Sequence, residues 1–460
     1  MTIAASDQTA EQVQHRNPIA SPRQTVMSYA HDVAFWDTWH SFALASVETI
    51  DRLLHAYIEA FYPIYPLFHW PSFHERVRNR DFFTDRGLFA SVMGACALVQ
   101  AQELTTVGHV FSALPGSSSG RKTEIHFLAA SDAIPRDLSS AHSLHYLRAS
   151  GLLALAALHS GQTTAMHEYL GRFWTLSSAY GFADESQWPQ DITLVEREER
   201  RRLFWSIYSL DMLAVTVYGK TTSVEDANAH VKYPQELDDP LITDHSYVFS
   251  AEPSWFKGWT FVVDLTRALA KNVVHHRRRN HSVYSGGLSC LREHTSILPN
   301  SDGLVVNAMA CYHQIPPQFK RDASRATTAD FEATLIDIQA IRIRVSVQLL
   351  CASACLGHNG PDIDAKFDCA EELLSLIQGV DNQLPRVAMT PLAHYMVAIV
   401  QEFTNNVEPL TTASLRQRMR SILERMEVLV SGSETLRRHV TELLRGQQSS
   451  IQRLNVASHE

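Results

Sequence analysis

Cysteine is scarce and badly spaced for chemistry. Six cysteines occur in 460 residues, at positions 96, 290, 311, 351, 355 and 369, and no two form a C-x-x-C pair. That pattern excludes a zinc finger and a disulfide framework and leaves buried free thiols as the expectation. Positive charge is short as well: 40 Lys and Arg stand against 49 Asp and Glu, a formal charge of −9. A chain of that sign does not hold a phosphate backbone unaided. No stretch approaches the roughly 18 apolar residues of a membrane span, and the opening MTIAASDQTAEQVQHRNP lacks a basic segment followed by an apolar one. A soluble intracellular product without membrane association is expected. Alternating apolar and polar runs are few and short, which excludes a sheet of consequence. No cofactor or metal motif is evident, so neither is expected.

What is present in quantity is helical period. Hydrophobic residues make up 45% and charged residues 19%, the balance of a chain that folds. In ETIDRLLHAYIEAFYP the apolar positions Ile50, Leu53, Leu54, Tyr57, Ile58 and Phe61 recur at three and four, and Pro63 and Pro66 then stop the helix. Similar stretches follow at 88–101, 144–161 and 165–182, with Gly161 and Gly181 at their ends. The clearest helix opens at Thr193-x-x-Glu196, a capping-box pattern, and runs to Gly219. At about 1.5 Å per residue it crosses a domain, which makes it the expected central helix. Helical patterns resume at 255–280 and, after an aperiodic interval, from 329 to 446. The spacing predicts an all-α fold: a large multi-helix domain of packed helix pairs around a long central helix, with no significant sheet. Residues 1–40, with Asn17-Pro18 and Ser21-Pro22 as breakers, read as a mostly disordered polar tail, 41–446 as the domain and 447–460 as a second polar tail.

Several motifs invite a chemical reading. His69 and His74 are five apart with Pro71 between them, so they do not stack on one helix face as a metal-binding H-E-x-x-H pair does. Packing and turn formation, with the aromatic residues of FYPIYPLFHWPSF, is the better reading. GSSSG at 116–120 fits G-x-S-x-G but has Pro115 before it and helical neighbours, where a nucleophile elbow needs a strand, so a linker is expected. HHRRRNH at 275–281 and EREERRR at 196–202 read as helix surfaces with ion pairs. Asp211 falls within the apolar stretch of the central helix and must find a partner or neutralise. A structural ion pair or hydrogen bond is expected there, rather than catalysis.

These pieces together carry a resemblance. AFYPIYPLFHWPSFHERV looks like the entry motif of the fungal-specific transcription factor domain, the middle homology region of zinc-cluster regulators. EREERRRLFWSIYSLDMLAVTVYGK resembles that domain's second signature, and AMHEYLGRFWTLSSAYGFADE is similar to the helix preceding it. The likeness is best marked over 45–245, with a compatible helical part at 250–446. It implies structural roles, in packing and tying helices together, for Pro66, His69, Pro71, Phe73, Glu199, Arg201, Arg202, Phe204, Trp205, Asp211 and Gly219. It implies no catalytic set. Three departures stand out: Met212 replaces the usual arginine, the turn reads Gly219-Lys220-Thr221, and the first 40 residues contain no cysteine where the family carries its zinc cluster.

The resemblance implies a nuclear regulator, with the cytoplasm left open, of a fungal metabolic or secondary-metabolite gene cluster. It would act through a small-molecule effector, a protein partner or a homodimer, and reach DNA only indirectly or through a zinc module missing from this sequence. The alternative is a regulatory-domain scaffold recruited as a small-molecule enzyme of cyclase or isomerase type, without DNA binding. A non-catalytic inhibitor that dimerises with full-length regulators is a third reading.

Overall fold

The computed structural model of the chain describes residues 22–111, 125–141, 143–221, 223, 229–281, 301–320, 331–357, 363–380, 386–406, 413–430, 436–438 and 440–445. Among the described residues every regular element is helical, and extended pairing is confined to two isolated bridges, Asp184 with His230 and Ile242 with Tyr247. The all-α class expected from the period is the one observed.

Two units divide the chain, residues 1–47 and 48–460. The first contains α1 (Pro22–Ala45), a helix that begins within the segment expected as a polar tail over 1–40. Pro22 was read as a breaker. It stands instead at the first helical position, where the missing N–H costs nothing and the fixed φ suits the helix. Neighbouring rings along α1 meet edge to face, Phe35 with Trp36 at 5.0 Å and Trp39 with Phe42 at 5.7 Å. The remainder of that tail, the 447–460 tail and the 112–124 linker lie outside the described residues.

The second unit begins within α2 (Val47–Ala56), which buries Ile50, Leu53 and Leu54. Its last turn widens over Tyr57–Phe61, where the Tyr62 N–H reaches back five residues to the Tyr57 carbonyl at 2.9 Å. Pro63 and Pro66 prevent continuation, and α3 (Trp70–Arg78) starts after His69. A first group of helices follows: α4 (Arg86–Phe111), α5 (Ile125–Ala133), α6 (Leu144–His159) and α7 (Thr163–Ala179). α4 lies against α5 and α6, and α6 against α7. A second group centres on α11 (Phe331–Gly357), which packs on α9 (Trp255–His281), α10 (Ser301–Gln314), α12 (Ile363–Val380) and α13 (Arg386–Asn406). α14 (Ala413–Leu429) packs on α12.

Between the groups runs α8 (Leu194–Tyr218), in contact with α6 from the first and with α9 and α13 from the second. It is the central helix in the sense expected. Gly151 of α6 shows how close the approach is, since a Cβ there would lie 2.6 Å from Ile207 Cδ1 of α8. The Thr193 hydroxyl caps α8 by accepting from the Glu196 N–H at 3.1 Å. The other half of the capping box is absent, because the Glu196 carboxylate takes Arg200 at 2.7 Å instead. At the far end Gly219 has φ +66°, and a Cβ added there would meet nothing within 4 Å, so its requirement is the left-handed backbone itself.

Of the cysteines, Cys96 is buried as expected, but Cys351, Cys355 and Cys369 are half-buried and Cys311 is exposed. The reading of all six as buried thiols is corrected to that extent, and Cys290 lies outside the described residues.

Candidate functional site

The segment between α2 and α3 packs against α8 through its polar groups. His69 precedes α3 with extended backbone, and its ring Nδ1 shares a hydrogen bond with the Ser72 hydroxyl at 2.8 Å. Its Nε2 donates to the Asp239 carbonyl at 2.9 Å, and its backbone N–H donates to Glu199 Oε1 at 2.8 Å. All of its polar atoms are thereby consumed in joining three segments. His74 is exposed and stacks on Trp70, so the two histidines do not converge on a site. Phe73 is buried and stacks on Phe68 with centroids 3.8 Å apart. Pro66 is buried and Pro71 sits exposed in the first turn of α3, where proline is tolerated.

Two arginines anchor this segment. Arg202 of α8 is fully buried and pairs through Nη1 with Asp239 Oδ1 at 2.5 Å, while its guanidinium lies 4.1 Å from the Phe256 ring centroid. Asp239 Oδ2 accepts from the Tyr62 hydroxyl at 2.5 Å and from the Trp70 N–H at 2.7 Å. Burial alone would push the Asp239 carboxyl up, but Arg202, with these donors, holds it below the usual carboxylate range. Burial together with the neighbouring Asp239 pushes the Tyr62 phenol well up. Arg148 of α6 donates through Nε to the Leu67 carbonyl at 2.9 Å and pairs with Glu199 Oε2 at 2.9 Å. Glu199 thus joins α6 to the His69 segment from α8.

The remaining polar face of α8 holds down the segment that follows it. Arg201 makes a two-pronged pair with Glu185, both contacts at 2.8 Å, and a third with Glu198 at 2.8 Å. Glu198 accepts from the Tyr247 hydroxyl at 2.9 Å and from the Gln235 N–H at 2.8 Å. Trp205 donates from its indole to the Lys232 carbonyl at 2.9 Å and stacks on Tyr233 at 4.4 Å. Phe204 is buried edge to face with Trp174 at 5.9 Å. Asp211, with no exposed surface, accepts from Lys220 Nζ at 2.9 Å and from the Ser223 N–H at 2.9 Å. The partner its burial demands is supplied by the turn that Gly219 permits. Of the basic run at 275–281, Arg277 pairs with Glu402 at 2.6 Å and donates to the Val215 and Thr216 carbonyls at the end of α8.

A second feature lies farther along α8. Leu210 and Leu213, with Val262 and Leu265 of α9 and residues of α11 and α13, line a cavity of about 70 Å³. Arg342, Tyr65 and Tyr395 also line it. Arg342 Nη1 donates to Gln339 Oε1 at 2.8 Å, and no carboxylate of the described residues pairs with it. Burial pulls its guanidinium down to about 10, so it remains charged at neutral pH. The Tyr395 hydroxyl is buried without a hydrogen-bond partner. Burial raises both phenols, Tyr65 and Tyr395, above their usual range, which keeps them as donors.

Sequence reasoning did not single out Asp239, Arg148, Glu198 or Arg342. Arg148 had a visible signal, a charge inside the apolar run LRASGLLALAAL, of the kind that singled out Asp211. Asp239 had none, lying in an aperiodic loop. Among the described residues no group of three or more His, Cys, Asp or Glu is placed to hold a metal, and no helix is long and apolar enough to cross a membrane.

Comparison with known proteins bears on the same region. The family described as the fungal specific transcription factor domain matches residues 54–382, well over half of the chain. Transcriptional activator protein acu-15 of Neurospora crassa is 20% identical over 207 residues, covering 43% of this chain and 20% of that protein. Pyrimidine pathway regulatory protein 1 of Saccharomyces cerevisiae is 38% identical over 65 residues, 13% of this chain and 7% of that one. Activator of stress genes 1 from the same yeast is 26% identical over 123 residues, 27% and 13% of the two chains. The matches therefore span a fifth or less of each relative's own length. No solved structure matches the chain. With its two signature segments joined through His69, Glu199, Arg202 and Asp239 inside a helical body that this family covers from 54 to 382, the chain belongs to the fungal-specific transcription factor domain family.

Proposed function

We propose that the chain is the regulatory body of a transcriptional regulator serving a fungal metabolic pathway or secondary-metabolite gene cluster. The family match over residues 54–382 carries the reading. The three relatives, two named as activators and one as a pathway regulator, support it. Action in the nucleus follows from the same reading. The formal charge of −9 favours contact with DNA through a protein partner, a second copy of the chain or a separate module.

The buried and half-buried acids favour a regulator over an enzyme. Asp211, Asp239, Glu198 and Glu199 each accept from groups that tie segments together, which leaves them poorly placed as general bases. A small-molecule effector would act in the cavity that α8 shares with α9, α11 and α13, by favouring one packing of these helices over another. The structural roles expected for the motif residues, from Pro66 to Gly219, are part of this proposal. Deleting the gene and measuring both neighbouring transcripts and pathway intermediates tests it. Transcript levels that fall or rise with the deletion are expected. Unchanged transcripts beside one accumulating intermediate would overturn the regulator reading in favour of an enzyme.

A further inference from the structure

We propose that the cavity between α8, α9, α11 and α13 is a binding site for a small monocarboxylate, with the carboxylate on Arg342 and Tyr395 and the aliphatic part against Leu210, Leu213, Val262 and Leu265. The inference rests on the reading of the domain as effector-regulated, and names the effector's chemical class.

Charge is the first argument. The buried arginines of the α8 region each have a counter-charge: Arg202 has Asp239, Arg201 has Glu185 and Glu198, and Arg148 has Glu199. Arg342 has only the neutral Gln339 amide, with a long 3.4 Å approach to the Pro63 carbonyl. Arg342 is half-buried at the cavity, and a guanidinium partly withdrawn from water without a carboxylate gains from a bound anion. One cation in an apolar setting suits one negative charge, which disfavours phosphate and dicarboxylates. The planar fork of arginine matches a carboxylate with two parallel hydrogen bonds.

The orphaned Tyr395 hydroxyl is the second argument. A buried hydroxyl without a partner is costly, and Tyr395 lines the same cavity as Arg342. Together they supply donors and no acceptor carboxylate, which is the complement of an anion. Size is the third. A cavity of about 70 Å³ lies far below the ~300 Å³ of a drug-sized site. The occupant is therefore an acid of a few carbon atoms.

The test uses the full chain and sodium butyrate, with butanol as the neutral isostere and phosphate and sulfate as competing anions, read by calorimetric titration and thermal shift. Saturable butyrate binding that raises Tm is expected, with butanol and the inorganic anions giving no comparable effect. Arg342→Gln should weaken binding by at least about tenfold, the loss of one charge-assisted hydrogen bond. Tyr395→Phe should weaken it less. The unliganded Arg342→Gln variant loses only the neutral hydrogen bond to Gln339, so its urea midpoint should stay close to wild type, which separates lost binding from lost folding. Equal stabilisation of wild type and Arg342→Gln by butyrate, equal stabilisation by butanol, or no saturable binding would each overturn the proposal. A phosphate response that exceeds butyrate would overturn the carboxylate assignment. Failure of binding with transcripts still dependent on the gene defeats this inference alone; binding with transcripts independent of the gene defeats the regulator reading alone.

Discussion

Arg202 and Arg342 occupy the same helical body and meet opposite fates. Arg202 is wholly buried and paired with Asp239, whose carboxylate also accepts from Tyr62 and Trp70 and whose backbone carbonyl accepts from His69. Arg342 lines a cavity with an amide and two phenols and no acid. The first arrangement has its counter-charge within the chain, although Arg202 Nε and Nη2 are buried without a hydrogen-bond partner. The second is short of one negative charge. The contrast teaches that a buried charge whose counter-charge belongs to the chain marks a structural joint, while the half-buried Arg342 without one carries the proposed ligand site.

The largest expected effect breaks the complete side of this comparison. Asp239→Ala leaves Arg202 buried and uncompensated and frees Tyr62 and Trp70, and should cost about 3–5 kcal/mol in urea unfolding. The second effect is pH-dependent. His159 and His394 are buried and held to about 3 and about 4, in both cases chiefly by burial. A histidine with a lowered folded value binds its proton more readily when unfolded, so its stabilisation is complete above about 6.5 and is lost as pH falls below it. The slope should be about 1.4 kcal/mol per pH unit for each such group, seen as a falling urea midpoint between pH 7 and pH 4. Asp239, held below the usual carboxylate range, adds a loss of the same sign at lower pH. A midpoint that holds steady over that range would contradict the burial of these histidines as uncharged groups.

Smaller effects sharpen the comparison. Gly219→Ala forces a side chain into φ +66° and should cost about 1–2 kcal/mol, by loosening the turn that brings Lys220 and Ser223 to Asp211. Arg342→Gln should cost about 1 kcal/mol or less, since it loses the neutral hydrogen bond to Gln339 and strands no charge. A loss at Arg342 comparable to that at Asp239 would erase the distinction between the two arginines.

The parts of this architecture that were legible in the sequence are those written locally. The period, Thr193 and Gly219 located α8, and Pro63 and Pro66 marked the end of α2. Asp211 announced its need for a partner by standing in an apolar run. Pro22 misled because the same residue breaks a helix interior and starts a helix well. The short helices α5 and α10 escaped notice because they are brief and carry little contrast between faces. The ion pairs were legible only from one side: Arg202 lies in a recognisable signature, whereas Asp239 follows 37 residues later in a segment without period. The cavity was not legible at all, since Tyr65, Leu213, Val262, Arg342 and Tyr395 come from five separated stretches that only packing unites.

The central claim is that the Arg202–Asp239 ion pair is the joint that ties the two signature segments together. A double-mutant cycle with Arg202→Met and Asp239→Leu, read by urea unfolding, tests it most directly. Each single variant should be strongly destabilised, and the double variant should recover several kcal/mol of the summed loss, because both charges leave together. Strictly additive losses would contradict the account.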